Sequence, residues 1–183
     1  MSANVSENRG FVPHGDPKTI QKNPYFIDTS QATKRGDVIR MNTTGKVRGT
    51  TAGTALLAVG VQVGGITSPS TGAVRDTSNS VNASAGDFIM VYDDPDQVFL
   101  AKTSSYTLTD PYTTRLGSAC FDEAGSAGAQ YVATSLSTLD TFKSMGPDNN
   151  FQNGFRSTTG ANATVRYKFN LNKHIYGHSG VTT

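Results

Sequence analysis

The chain has 183 residues, with 24 Thr, 17 Ser, 12 Asn and 19 Gly but only 2 Glu and 8 Leu, and its formal net charge is +2. A composition so rich in β-branched and turn-forming residues and so poor in helix formers excludes a helical bundle or coiled coil. No apolar stretch approaches 18 residues, so a membrane-spanning helix is excluded and no membrane partner is expected. We predict a mainly β protein, a small β-barrel or sandwich with an extended N-terminal arm and a C-terminal extension.

Residues 1–24 are predicted to form the extended arm. Three prolines push the residues that precede them away from helical geometry. The segment begins with polar residues and shows no apolar stretch of a signal peptide. Its few apolar side chains are too few for a core but could anchor the arm on a neighbouring molecule; they are Phe11, Val12 and Ile20.

Residues 25–142 are predicted to form the β domain, because short apolar runs alternate with turn signals about every 8–15 residues. The predicted strands are Tyr25–Asp28, Asp37–Asn42, Lys46–Arg48, Ala55–Val63, Asp87–Tyr92, Gln97–Lys102, Tyr106–Leu108, Ser118–Asp122, Gln130–Thr134 and Ala163–Leu171. Apolar residues three apart predict one helix over Ser135–Phe142.

The centre of this domain is an apolar run, an acidic turn and a second apolar run. Pro95 suits the second position of a type I turn that begins at Asp94. We therefore predict a tight β-hairpin with its turn at Asp93, Asp94, Pro95 and Asp96. Three carboxylates in four residues could instead bind calcium, but the spacing does not match an EF-hand loop, and the turn is favoured.

Two Gly-Asp pairs, at residues 36–37 and 86–87, each precede an apolar strand. They predict two similar corners of the fold, although the flanking sequences do not match well enough to predict a repeat. Arg35–Asp37 also spells a cell-adhesion tripeptide. A turn into the following strand explains the same residues, and three-residue motifs often occur by chance.

Residues 143–183 are predicted to be a linker loop followed by a C-terminal strand and tail. The loop, residues 143–162, carries Phe151 and Phe155, which need a surface to cover them. The strand after it alternates, with four apolar residues on one face and Arg166 and Lys168 on the other. This strand could pair within its own subunit or on a neighbour.

The net charge conceals an uneven distribution of charged residues. Residues 1–50 carry +4, residues 51–150 carry −6 and residues 151–183 carry +4. The basic ends could contact an acidic protein surface, or they could fold back onto the acidic middle. The basic residues are dispersed, so nucleic acid is not an expected partner. Candidate contact residues are Arg9, Phe11, Val12, Lys18, Ile20, Lys22, Phe151, Phe155, Arg166, Lys168 and Lys173.

No catalytic motif is found, and neither an enzyme nor a cofactor is expected. The sequence lacks a Gly-x-Ser-x-Gly elbow, a phosphate-binding Gly-Lys-Ser/Thr loop and a His-Glu-x-x-His zinc motif. A zinc site at His174 and His178 is disfavoured, because the intervening Gly177 argues against a helix. The single cysteine, Cys120, cannot form an internal disulfide and fits a small buried side chain.

The segment Gly-Asp-Phe-Ile-Met-Val-Tyr-Asp-Asp-Pro-Asp-Gln-Val-Phe-Leu, residues 86–100, resembles the head decoration (cement) proteins of tailed double-stranded DNA bacteriophages. Several of these carry a similar Asp-Asp-Pro-Asp-x-x-Phe hairpin in a β-barrel, and the resemblance covers residues 25–142. It implies a structural virion protein, made in the host cytoplasm, that stabilises the capsid exterior. It also implies a homotrimer that bridges neighbouring major capsid proteins, without catalytic residues or a cofactor.

Two other functions remain open from the sequence. The first is another structural role in the virion, as a head-fibre base or tail component. The second is a carbohydrate-binding or adhesin module, which would use exposed aromatic platforms. The chain has no Trp and its seven Tyr are scattered, which counts against this module.

Overall fold

The computed structural model describes residues 10–16, 18–49, 56–77, 81–102, 120–121, 123–124, 130–132, 141–147 and 164–176. In chain order these contain β1 Val12–Pro13, β2 Asn23–Phe26, β3 Gln31–Thr33, β4 Val38–Met41, β5 Val47–Gly49, β6 Ala58–Thr67, β7 Val74–Arg75, β8 Val81–Ala83, β9 Phe88–Tyr92, β10 Val98–Lys102, β11 Cys120–Phe121, β12 Glu123–Ala124, β13 Tyr131–Val132, β14 Phe142–Pro147, β15 Thr164–Phe169 and a 3-10 turn, Leu171–Lys173. The prediction of a mainly β fold is confirmed. The predicted strand Tyr106–Leu108 lies outside the described residues.

The strands form antiparallel sheets that pack as a sandwich. One sheet has five strands in the order β1-β10-β15-β14-β11, and the other has the order β2-β9-β6-β4-β5, with β7 also paired to β6. The ribbons β3-β8 and β12-β13 accompany them. The described strands close no barrel, so the sandwich is the correct alternative of the two that the sequence predicted.

The main core lies between the two large sheets and is rich in aromatic side chains. The alternation predicted for β15 is confirmed for Val165, Tyr167 and Phe169, which are buried in this core. It is wrong for Leu171, which is 44% exposed in the 3-10 turn. Phe169 lies edge-on to Phe99, with ring centroids 5.6 Å apart. A second core of aliphatic side chains covers the other face of the six-stranded sheet and includes Ala83 of β8. Burial of such side chains stabilises a fold by about 1.5–3 kcal/mol each.

The predicted hairpin of β9 and β10 is wrong, although its turn is present. The Gln97 N–H donates to the carbonyl of Asp94 at 3.2 Å, which closes the turn around Pro95. However, β9 is paired on both edges, to β2 and β6, and β10 is paired on both edges, to β1 and β15. The turn therefore carries the chain from one sheet to the other.

The described part of the predicted arm, residues 10–16 and 18–24, belongs to the sandwich. Phe11 is 1% exposed, and its ring stacks on Phe142 with centroids 4.6 Å apart. Strand β1 pairs with β10, and β2 begins at Asn23 and so crosses the predicted boundary at residue 24. Contrary to the sequence-based expectation, the Phe11 side chain is not available to anchor the arm on a neighbouring molecule.

The predicted loop at residues 143–162 is wrong in its first five residues, which form most of β14. This strand pairs with β11 and β15, and its register with β15 shifts at a bulge between Ser144 and Pro147. The same strand contains Phe142, the predicted last residue of a helix. Thr141 is not helical either, and residues 135–140 lie outside the described residues. Strand β15 pairs within its own chain and ends at Phe169, where the 3-10 turn follows.

The two Gly-Asp pairs form equivalent corners, as the sequence predicted. Gly36 and Gly86 have φ values of 91° and 87°, which residues with a Cβ rarely adopt. In each corner the aspartate accepts a hydrogen bond of 2.9 Å from the backbone N–H three residues earlier, that of Lys34 or Ser84. Because β3 and β8 pair antiparallel at equivalent positions, a local two-fold axis relates the two units.

Candidate functional site

The strongest candidate for an interaction surface is the part of the outer side of the five-stranded sheet around Lys168. Towards the other end this side is covered, since Leu100, which lies opposite Arg166, is 1% exposed. The alternation of β15 turns Arg166 and Lys168 away from the core, and Lys143 of β14 lies directly opposite Lys168. Side chains at directly opposite positions are about 4.5–5.5 Å apart at their Cβ atoms, and like charges there repel. We call Lys143, Arg166 and Lys168 the basic face.

The contacts of the basic face leave it with a positive charge. Lys168 forms an ion pair with Asp96, whose side chain is largely exposed. Lys143 has no acidic partner among the described residues. A terminal nitrogen of Arg166 donates to the carbonyl of Met145 at 3.1 Å, while its Nε is buried without an acceptor. Three cations and one compensating carboxylate make this surface suited to an anionic partner.

Sequence reasoning identified Arg166 and Lys168 but missed Lys143. Lys143 is the first residue of the predicted loop, residues 143–162. The signal that could have found it is the alternation of Phe142, which faces the core, with Lys143.

The structure distributes the other predicted contact residues over several places. Lys18 is exposed, Val12 is half-buried in β1, and Ile20 packs against the main core. The ammonium of Lys22 lies 5.5 Å from the centre of the Tyr92 ring. Lys173 is half-buried in the 3-10 turn. Arg9, Phe151 and Phe155 lie outside the described residues.

The acidic turn is a structural junction. Asp93 is fully buried, and its Oδ2 accepts hydrogen bonds from Asn23 Nδ2 at 2.7 Å, the Tyr25 hydroxyl at 2.6 Å and the Tyr176 hydroxyl at 3.3 Å. Its Oδ1 is buried without a partner. Burial, together with the hydrogen bond to Asp93, raises the pKa of Tyr25 far above its ordinary value, so its phenol stays protonated.

The other carboxylates of the turn are also engaged. Asp94 Oδ1 accepts the backbone N–H of Asp96 at 2.8 Å, and Asp96 pairs with Lys168. Among the residues that the structure describes, no group of three or more His, Cys, Asp or Glu could hold a metal ion. These contacts favour the turn over the calcium-binding alternative.

The histidines and the adhesion tripeptide have structural explanations. His174 is buried and bonded through both ring nitrogens, and His178 lies outside the described residues. The carboxylate of Asp37, the last residue of the tripeptide, is buried and accepts the Lys34 N–H. The tripeptide therefore does not present its acidic group to a receptor.

A groove of about 480 Å³ lies between the loop after β6 and the corner before β9. Arg75 spans it, donating to the carbonyl of Asn82 at 2.7 Å and pairing with Asp87. The hydroxyls of Ser68 and Ser70 bond each other at 3.0 Å. The charges of Arg75 and Asp87 compensate each other, and their ion pair stabilises the corner before β9. No histidine lines the groove that could activate a serine hydroxyl as a nucleophile.

No described helix is long and apolar enough to cross a membrane. No protein-family model matches this sequence, and no curated protein matches it.

Proposed function

We propose that the protein is a decoration protein that binds the outside of a tailed-phage capsid and bridges neighbouring major capsid proteins. The observation that carries the proposal is the basic face, which gathers Lys143, Arg166 and Lys168 on one side of a rigid sheet. It adds to the resemblance of residues 86–100 to the cement proteins. An acidic protein surface is the partner that fits three cations, since a nucleic acid site normally uses more phosphate contacts.

The strand order suits a protein under tension. Strand β1 near one end of the described chain and β15 near the other both flank β10 in the same sheet. Force applied along β15 must shear its rows of backbone hydrogen bonds to β10 and β14 and the aromatic core beneath them, whereas β1 adds a two-residue pairing with β10. Many such units, each bound to several neighbours, would hold a shell through multivalency although each contact is modest.

The test is binding to capsid shells of the encoding phage that were assembled without this protein. Shells are sedimented with the wild-type protein, and the bound copies are counted. We expect many copies per shell and weaker binding at higher salt. No binding to these shells would overturn the proposal, and occupancy of a single vertex would assign the protein to a head-fibre base or tail instead.

The basic face is tested with the double variant Lys143→Glu/Lys168→Glu. We expect its affinity for shells to fall at least about tenfold, equivalent to roughly 1.4 kcal/mol. The matched control is Lys46→Glu, which reverses an exposed lysine on the β4–β5 loop. Equal binding by the double variant and the control would exclude the basic face as the contact.

The expected partners include further copies of this chain, as a homotrimer. Light scattering of the purified protein at two salt concentrations measures its mass. A stable trimer at both salt concentrations would favour a trimer that forms before it binds the capsid. A monomer at both would refute self-association in the absence of the capsid. Deletion of residues 1–24 is unsuitable as an arm test, because it would remove Phe11 from the core. Deletion of residues 1–9 leaves β1 and Phe11 in place.

A further inference from the structure

The last described segment, Leu171–Tyr176, fastens the end of the chain to the six-stranded sheet, and we call it the C-terminal clasp. The Ile175 N–H donates to the carbonyl of Ala58 in β6 at 3.0 Å. The Tyr176 hydroxyl lies 2.9 Å from the Tyr25 hydroxyl and 3.3 Å from Asp93 Oδ2. The clasp is therefore held by a few specific hydrogen bonds, several of which surround His174.

The contacts of His174 define its protonation state. The side chain is 0% exposed, and Nε2 lies 2.7 Å from the carbonyl oxygen of Val59. A carbonyl only accepts, so Nε2 carries the proton. Nδ1 lies 3.2 Å from the backbone N–H of Tyr176, which only donates, so Nδ1 must be bare. Both ring nitrogens are satisfied only while the imidazole is neutral.

A second proton on His174 conflicts with this arrangement. Protonated Nδ1 would point an N–H at the N–H of Tyr176, so one of the two groups must move. The ring has little room to turn, since it packs between Phe169 and Tyr176, with ring centroids 5.0 and 5.7 Å away. Displacement of Tyr176 relieves the conflict at the cost of the hydrogen bonds that hold the clasp. We propose that protonation of His174 releases the C-terminal clasp from the sandwich.

The charged groups that face His174 act in both directions. Asp93 and Asp94, on the turn after β9, attract a cation and raise the pKa of His174, as does the carbonyl of Val59. Burial opposes them and is the larger effect, so the pKa lies below its ordinary value of about 6.5. The hydroxyls of Tyr25, from β2, and Tyr176, from the clasp itself, are the other titratable groups beside His174, and the raised pKa of Tyr25 keeps its phenol neutral. A buried cation here lacks a fully compensating partner.

The direction of the pH dependence follows from this lowered pKa. Docking of the clasp is strongest above pH 6.5, where His174 is neutral whether the clasp is docked or released. Between 6.5 and the lowered pKa, only the released form takes up the proton. In this window the docked-to-released ratio falls by up to about tenfold per pH unit, and below it the ratio levels off.

The experiment is amide hydrogen exchange of Ile175 from pH 8 to 4.5, corrected for intrinsic exchange rates. We expect protection of Ile175 to fall with pH in the window, while the amide of Val91 in the six-stranded sheet stays protected. Constant protection of Ile175 would overturn the proposal. If Ile175 and Val91 lost their protection from exchange at the same pH, global unfolding would be the cause, and the proposal would also be overturned.

A variant separates His174 from other titrating groups. His174→Gln can donate and accept hydrogen bonds but does not titrate, so Ile175 protection should become independent of pH. His14→Gln is the matched control and should keep the wild-type dependence. If His174→Gln does not fold, the nitrogen-15 chemical shifts of the His174 ring in the wild-type protein report whether Nδ1 is protonated at each pH. A proton bound at Nδ1 while Ile175 remains fully protected would refute the proposal.

Discussion

Replacement of Phe11 by alanine tests whether the N-terminal segment is part of the sandwich. The ring is 1% exposed, stacks on Phe142 and lies in the main core with Phe169. Removal of a buried Phe side chain typically costs about 3–5 kcal/mol, from the lost transfer energy and the cavity that remains. In a domain of this size each kcal/mol lowers the melting temperature by roughly 2–4 °C, so we expect a fall of about 6–20 °C.

The assay is urea unfolding followed by tyrosine fluorescence and circular dichroism. The slope of the transition should stay constant while its midpoint falls. Two variants serve as controls: Phe26→Ala removes a ring that is 56% exposed on edge strand β2, and Lys18→Ala removes an exposed lysine of the same segment. Each should cost less than about 1 kcal/mol. A loss below about 1 kcal/mol for Phe11→Ala would refute the assignment of this segment to the core.

Three further variants test the packing and charge of the sandwich. Gly60→Ala should prevent stable folding, measured as lost soluble yield, because its Cβ would overlap the carbonyl oxygen of Tyr92; Gly49→Ala, whose added Cβ would lie 3.8 Å from its nearest neighbours, is the milder control. Arg40→Ala should cost about 2–6 kcal/mol in urea unfolding, because the buried guanidinium donates to the Leu56 carbonyl and the Thr141 hydroxyl at 2.7 Å each, and each acceptor left without a donor costs about 1–3 kcal/mol. Lys143→Glu alone should raise the stability of the free protein by roughly 0.2–1 kcal/mol, since it replaces a Lys-Lys pair with a Glu-Lys pair. A decrease in stability would contradict the register in which Lys143 lies opposite Lys168.

The positions of most strands could be predicted because their patterns are local. Strand β15 alternates strictly, and β9 is an apolar run bounded by turn residues. The pairing of β9 with β10 could not be predicted in the same way. A run, a turn and a second run have the same pattern in a hairpin and in a crossing between sheets. Only the distant strands β2 and β6, which occupy both edges of β9, distinguish the two.

The candidate site was predictable to a smaller extent. Arg166 and Lys168 follow from the alternation of a single strand. Lys143 depends on a long-range register that a bulge near Gly146–Pro147 makes hard to predict. The burial of Asp93 also depends on distant partners, since Asn23 and Tyr176 are 70 and 83 residues away along the chain. In sequence, Asp93 is only one of three similar aspartates in a turn.

The position of Asp93 couples the two ends of the described chain. It lies where the chain leaves β9 for the other sheet, and one carboxylate oxygen receives donors from β2 and from the C-terminal clasp. The clasp contributes the Tyr176 hydroxyl, and His174 fixes the backbone that carries it. Weakening of the clasp therefore also removes a donor from the buried carboxylate that holds β2. Under the proposed function, a load on either end of the described chain would be transmitted to this crossing, and acid would weaken the same point.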